Sequence, residues 1–257
     1  MQYLFGDSDA AAQRLKLVAD VFAGTTRSFV LDTVIEKPDI LADLGCGPGH
    51  TTRLLAETLR CARTIGLDNS EHFLSLARQS AQGGVSFLFH DVSSVPFPME
   101  QGDLLYCRFL LSHLKHPRAL LSRWMTQLKQ GGLLLIEEVE WIHTQNDDFA
   151  LYLSIVEAML QDQSAELYVG RELDRLRDSE TMGRRISQVG RLRVSYDDAA
   201  TMFCLNMQTW KHQPFVRSNY SFSAITKLED ALRTLSMKKS GKSEIEWGLR
   251  QIVFERI

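Results

Sequence analysis

Apolar and polar positions follow two alternating patterns along this chain. Between Ile40 and Ile136, short apolar runs alternate with stretches whose apolar residues fall three and four apart. The runs read as strands and the stretches as helices, which predicts a parallel sheet covered by helices on both faces. Ahead of them, Ser8 is placed to cap a helix with Leu15, Val18, Ala19 and Phe22 on one face. Ser70 starts another, with Phe73, Leu76 and Ala77 inward. Pro117 suits a first helical turn, Leu121, Trp124, Met125 and Leu128 form its stripe, and Gly131 is the expected stop. Asn146-Asp147-Asp148 caps a helix striped by Tyr152, Ile155, Val156, Met159 and Leu160. Arg171 to Arg193 mixes both charge signs and reads as a solvated face. Gln208 to Lys238 reads as mostly helical, interrupted by Pro214. The sixth strand is expected near Leu192 to Tyr196 and the seventh near Gln251 to Arg256.

The segment Leu41-Ala42-Asp43-Leu44-Gly45-Cys46-Gly47-Pro48-Gly49-His50 carries the strongest chemical signal. It ends a strand, places an acid two residues before the first glycine, and spaces three glycines alternately before a helix begins. Such a loop lets a ligand rest on the main chain at the carboxyl end of a parallel strand. The G-x-G-x-G spacing differs from the G-x-G-x-x-G of dinucleotide sites, and Asp43 suits an ammonium better than a pyrophosphate. Asp68 stands at the end of the next strand, where a carboxylate can accept from both ribose hydroxyls.

These segments resemble motif I and its neighbours in the class I S-adenosylmethionine (SAM)-dependent methyltransferases of small-molecule type. Val85-Ser86-Phe87-Leu88-Phe89-His90-Asp91-Val92 with Pro96-Phe97-Pro98 resembles the adenine-binding strand exit. Gly102 to Leu114 resembles the fourth strand and its exit, and Gly131 to Glu138 the fifth. The resemblance covers residues 41–141 and thins after 145. It implies a Rossmann-like α/β fold with a seven-stranded, mostly parallel sheet and an antiparallel edge hairpin. It also implies a single domain: a cap helix over 1–36, a SAM-binding core over 37–141, a helical lid over 142–190, and a sheet edge with helix over 191–257. The cofactor residues it implies are Tyr3, Arg14, Asp43, Gly45, Cys46, Gly47, Gly49, Asp68, Asn69, Asp91, Val92, Cys107, Arg108 and His113. Among these, Asp91 would accept from the adenine amine, the Cys107 and Arg108 carbonyls would hold the ammonium, and His113 would support the loop. S-Adenosylhomocysteine (SAH) would be the product.

With SAM in the first half of the sheet, the acceptor must approach from the exits of the fourth and fifth strands. Glu138, Glu140, Trp141, Tyr152 and Met159 are the expected substrate-facing residues, with His143 and Glu138 as candidate bases. The acids lean toward a cationic or amine-bearing acceptor. Glu137 and Glu138 are neighbours on a strand and so point to opposite faces. Overall numbers narrow the classes. The chain has 257 residues, 44% hydrophobic and 24% charged, with a net charge of −3, which gives no general attraction to nucleic acid. Cys46, Cys61, Cys107 and Cys204 show no metal-ligand spacing and read as reduced thiols of a cytoplasmic protein. No metal site, signal peptide or membrane span is expected. A non-catalytic SAM-binding regulator or scaffold, and a dinucleotide-dependent dehydrogenase, stand as alternatives.

Overall fold

The structure, a computed structural model, describes residues 6–238 and 244–257. Ser8 caps the first helix, α1 (Asp9–Thr33), its Oγ accepting from the Ala11 amide at 3.3 Å. Four strands and three helices follow: β1 (Ile40–Leu44), α2 (His50–Leu59), β2 (Arg63–Asp68), α3 (Glu71–Gln79), β3 (Val85–Phe89), β4 (Gly102–Arg108) and α4 (Pro117–Met125). A single 3₁₀ turn (Leu111–His113) separates β4 from α4. Then come β5 (Leu128–His143), α5 (Asp147–Asp162), α6 (Gly170–Asp174), β6 (Met182–Ser195), α7 (Tyr196–Trp210), α8 (Pro214–Asn219), α9 (Phe222–Met237) and β7 (Glu244–Arg256).

The strands form one seven-stranded sheet in the order β3-β2-β1-β4-β5-β7-β6. β1 to β5 run parallel, and β7 lies antiparallel between β5 and β6. All five residues of β1 are buried, as a central strand covered on both faces requires. Side chains alternate faces along β4: Leu104 and Tyr106 pack with Phe29, Val30 and Leu55, whereas Leu105 and Cys107 pack with Leu120, Leu121 and Trp124. Each face thus has its own apolar layer.

β5 pairs with β4 through Glu137, and beyond that point its outer half, Glu138–His143, pairs with β7. Above this overhang sits a third apolar cluster, built from Phe22 of α1, Phe149 and Tyr152 of α5, Phe203 and Trp210 of α7, Leu228 and Leu232 of α9, and Trp247 and Leu249 of β7. The sheet and α1 are tied by a buried network around Glu137. Thr26 donates to its Oε2 at 2.6 Å, Gln251 to its Oε1 at 2.8 Å, and the Tyr106 hydroxyl also donates to it.

Several local readings change. α4 stops at Met125, and Gly131 lies within β5 with φ +77°, where the pairing with β4 shifts register. β6 begins ten residues before the expected Leu192, because Met182–Ser195 pairs with β7 along its length, with one irregularity after Arg184, and leaves its charges on an exposed edge. The arginines Arg184, Arg185, Arg191 and Arg193 therefore lie exposed on a strand, while the acids of this stretch lie before it, on α6 and the loop that follows. The antiparallel edge pair is present, but its strands are joined by α7, α8 and α9 instead of a tight turn. The helical cover likewise extends past residue 190 to include α7 and α9.

Candidate active site

A cavity of about 690 Å³ runs from the carboxyl ends of β1, β2 and β3 into the space beneath α1, α5 and α7. That volume lies in the ~300–1,000 Å³ range of small-molecule sites. Its first half is the loop after β1. Gly49 caps α2 at φ +77°, and a Cβ there would lie 2.5 Å from Phe87 Cζ. Gly47, at φ +51°, faces differently: an added Cβ would meet Leu15 Cδ1 at 3.4 Å and otherwise point into the cavity. Gly49 is thus dictated by packing, and Gly47 leaves main chain open to a ligand.

Asp68 closes this loop. Its Oδ2 accepts from the Gly47 amide and its Oδ1 from the Ser70 amide, each at 2.8 Å. Burial raises its pKa, opposed by those amides. The Asn69 amide also donates to it, and a carboxylate with about four lone-pair positions still keeps acceptor capacity for a ligand. Asp91 reaches the cavity from the turn after β3, where the Ser93 amide donates to it at 2.9 Å. Desolvation works against its charge, but the Ser93 bonds outweigh it and its pKa is lowered. Gly45, Cys46, Asn69, Val92, Arg108 and His113 also line the cavity, and Arg14 enters from α1. The Arg108 guanidinium bridges Thr26 and Thr51 at 2.8 Å each, linking α1 to the start of α2. Burial, reinforced by nearby Arg14, drives the His113 pKa down to about 3, so the ring is neutral across ordinary pH.

Three residues expected at the cofactor do not line the cavity. Asp43 is 2% exposed and accepts from Thr52 Oγ1 at 2.6 Å, which anchors α2 to β1. Burial pushes its pKa up to about 7. Gly49 lies under Phe87, and Cys107 is sealed in the sheet core. Tyr3 falls outside the described residues.

The second half of the cavity is apolar. β5 supplies Val139 and Ile142, α5 supplies Tyr152, Leu153, Val156 and Leu160, α7 supplies Met202, Phe203 and Asn206, and β7 supplies Trp247. Tyr152 is the expected acceptor-facing residue that lies here. Met159 turns into the helical cluster, 1% exposed. Trp141 covers Gly248 and stacks on His143 at 4.2 Å between centroids, outside the cavity. His143 is exposed beside it. Glu140 is held by Arg250 through two bonds of 2.6 and 2.8 Å. Glu138 Oε1 accepts from the Leu110 and Leu111 amides at 2.8 and 2.7 Å, which fixes the turn after β4. Burial raises its pKa to about 7. Of the acids that favoured a cationic acceptor, Glu140 is thus taken by arginine, Glu138 gives one oxygen to backbone while its buried Oε2 has no partner among the described residues, and neither lines the cavity. Glu137 and Glu138 do face opposite sides of the sheet, one toward α1 and one toward the β4 exit.

The α7 residues and Trp247 escaped the sequence reading. Ser195 caps α7, its Oγ accepting from the Asp198 amide at 3.2 Å, and Ala199, Met202, Phe203, Asn206 and Trp210 follow at helical spacing. That signal was present in the chain, but nothing in it pointed toward the cavity.

Residues 42–136 match the family model described as a methyltransferase domain. Over those residues the chain is similar to that family, and its seven-stranded sheet has the Rossmann-like class I methyltransferase fold. The curated trans-aconitate 2-methyltransferase of Methylobacterium nodulans is 36% identical over 127 residues, 49% of this chain and 48% of that protein. The Delftia acidovorans enzyme of the same description is 38% identical over 99 residues, 38% of this chain and 37% of that protein. The chain thus spans less than half the length of these relatives. A methyltransferase-type protein of Bacillus halodurans superposes with a TM-score of 0.58 at 17% identity, covering 89% of this chain and 96% of that one. At that identity the likeness concerns the methyltransferase fold alone.

Proposed function

We propose that this protein transfers a methyl group from SAM to a small molecule held in the helix-covered half of the cavity. The observation that carries the reading is the continuity of one cleft. It joins the open main chain at Gly47, flanked by Asp68 and Asp91, to a chamber lined by α1, α5 and α7. The residues present fit SAM. Asp68 keeps lone pairs for the ribose hydroxyls, Asp91 and the Val92 amide stand at the adenine end, and Arg14 offers a cation to the methionine carboxylate. Asn69, Cys46 and the Arg108 carbonyl complete that lining.

When bound, SAM supplies a methyl group on a sulfonium, an electrophile that needs no acid to activate it. The protein's own residues then have to orient the acceptor and keep water away. Orientation alone can supply up to ~7–11 kcal/mol in the best-arranged systems. Phe22, Phe203 and Trp247 wall off the chamber. His113, with its pKa at about 3, is a poor proton acceptor and serves as wall. The relatives' acceptor, trans-aconitate, is a small molecule as well, which supports the size class of the substrate.

Calorimetry tests the cofactor half. SAM and SAH should bind in the micromolar range and NAD should not bind. Asp68→Ala should weaken SAM by roughly 1.5–3 kcal/mol, the scale of hydrogen bonds to a charged group. It should also lower the ligand-free unfolding midpoint, because the Gly47 and Ser70 amides lose their partner. Unchanged SAM affinity in that variant would remove Asp68 from the cofactor site. Incubation with isotope-labelled SAM and metabolite extracts then reads transfer itself, and binding without transfer to any acceptor would mark a sensor or scaffold.

A further inference from the structure

The acceptor end of the cavity has a definite chemistry. The residues that β5, α5, α7, β7 and the 163–167 segment contribute to its lining carry no ionisable acid or base other than the Tyr152 phenol. Their polar members are Tyr152, Asn206 and Gln163, and Gln163 is exposed at the rim. Inside, Tyr152 and Asn206 form a pair, with Asn206 Nδ2 donating to the Tyr152 hydroxyl at 2.6 Å. Tyr152 is held rigid by stacking on Phe203, with ring centroids 4.1 Å apart and planes 16° off parallel. The amide is therefore fixed by a ring that is itself fixed.

One atom of this pair is left over. Asn206 is 7% exposed, lines the cavity, and its Oδ1 is buried without a hydrogen-bond partner among the described residues. A buried amide oxygen without a partner loses its hydration and gains nothing in return, so folding leaves it there at the expense of stability. A ligand hydrogen would satisfy it. The oxygen bears partial negative charge, so it accepts from an O–H or N–H and repels a carboxylate. The walls that β5, α5, α7 and β7 supply are apolar and do not solvate an ion; the cation near the pair, Arg14 of α1, whose charge acts on the Tyr152 hydroxyl, is the group assigned above to the methionine carboxylate.

We propose that this chamber takes an uncharged, largely apolar acceptor with one hydroxyl or amine hydrogen, which it donates to Asn206 Oδ1. This rests on the methyltransferase reading and sets its substrate class apart from a tricarboxylate. Asn206 is then a specificity-determining residue, and Tyr152 is the positioning residue that aims its amide. Glu138 and Glu140 lie outside the cavity lining, Glu138 bonded through Oε1 to backbone and Glu140 to Arg250, and play no part in selecting charge.

The test uses SAH-loaded protein and three defined probes: 2-naphthol, its methyl counterpart 2-methylnaphthalene, and the tricarboxylate trans-aconitate. Fluorescence titration and calorimetry should show 2-naphthol bound about tenfold more tightly than either of the others, a difference of ~1.4 kcal/mol. Asn206→Leu keeps the bulk and removes the amide. It should bring 2-naphthol and 2-methylnaphthalene to within about twofold, ~0.4 kcal/mol, with SAH affinity unchanged. If that variant fails to unfold cooperatively, Tyr152→Phe serves in its place and should narrow the same preference. Trans-aconitate binding as tightly as 2-naphthol, or a hydroxyl preference untouched in the variants, would overturn the proposal. Failure to bind SAH would instead count against the cofactor reading. The probe comparison can still be read on the ligand-free protein.

Discussion

Single residues here are held in protonation states that folding imposes. Burial raises Asp43 and Glu138 each to about 7, so the folded chain keeps protons that an unfolded carboxyl releases near pH 4. Their contribution to stability is fully present below the unfolded value and is lost as pH rises toward 7. His113 acts in the opposite sense. Its folded pKa of about 3 lies below the ordinary 6.5, so its contribution is present above 6.5 and is lost as pH falls. Between pH 4.5 and 6.5 the acids and the histidine therefore oppose each other. His113→Asn removes one side of that balance. Urea unfolding at pH 6.5 and 5 should show the variant gaining on the parent as pH falls, by up to about 1.4 kcal/mol per pH unit. Parallel curves would mean that His113 titrates freely in the folded chain.

At the scale of elements, the turn that follows β4 shows how a side chain replaces secondary structure. Phe109 takes φ +53°, which breaks the strand and leaves the next amides without ladder partners. Glu138 from neighbouring β5 collects two of them, Leu110 and Leu111. His113 and Leu110 are thereby set in the cavity wall. Glu138→Gln keeps a carbonyl oxygen in the same place, whereas Glu138→Ala strands both amides. The expected outcome is full methyl transfer in the glutamine variant and a loss of about 1–3 kcal/mol of stability in the alanine variant. A glutamine variant that folds normally but transfers no methyl group would restore Glu138 to the role of a base.

On the scale of the whole molecule, residues from α1, the sheet, α5 and α7 surround one cavity. The cofactor half and the helical cover also share α1, whose Thr26 is bonded to Glu137 in the sheet and whose Phe22 packs against Phe109 and Trp247. A ligand in that space should stabilise the chain as a unit. SAH at a hundredfold excess over its dissociation constant should add ~2.7 kcal/mol. Calorimetric melting should then show a single transition that moves upward as a whole. Two transitions, of which one shifts, would mean that the helical cover folds independently. No helix among the described residues is long and apolar enough to cross a membrane.

What the sequence by itself determined is the half of the site built from local pieces. A strand, a glycine loop and a helix start are consecutive in the chain, so Gly47 and Asp68 could be placed by spacing alone, as could the serine and asparagine caps at Ser8, Ser70 and Asn146. The acceptor half was decided by tertiary packing. Phe22, Val139, Tyr152, Asn206 and Trp247 come from five separate elements, and no periodicity within one element tells which of its buried faces meets a void. Charge was misread for the same reason. Glu140 looked available until Arg250, more than a hundred residues later in the chain, closed on it as β7 paired with β5. Local hydrogen-bonding geometry is written in neighbouring residues. Which carboxylates stay free and which apolar stripe lines a cavity depend on partners that only the folded chain brings within reach.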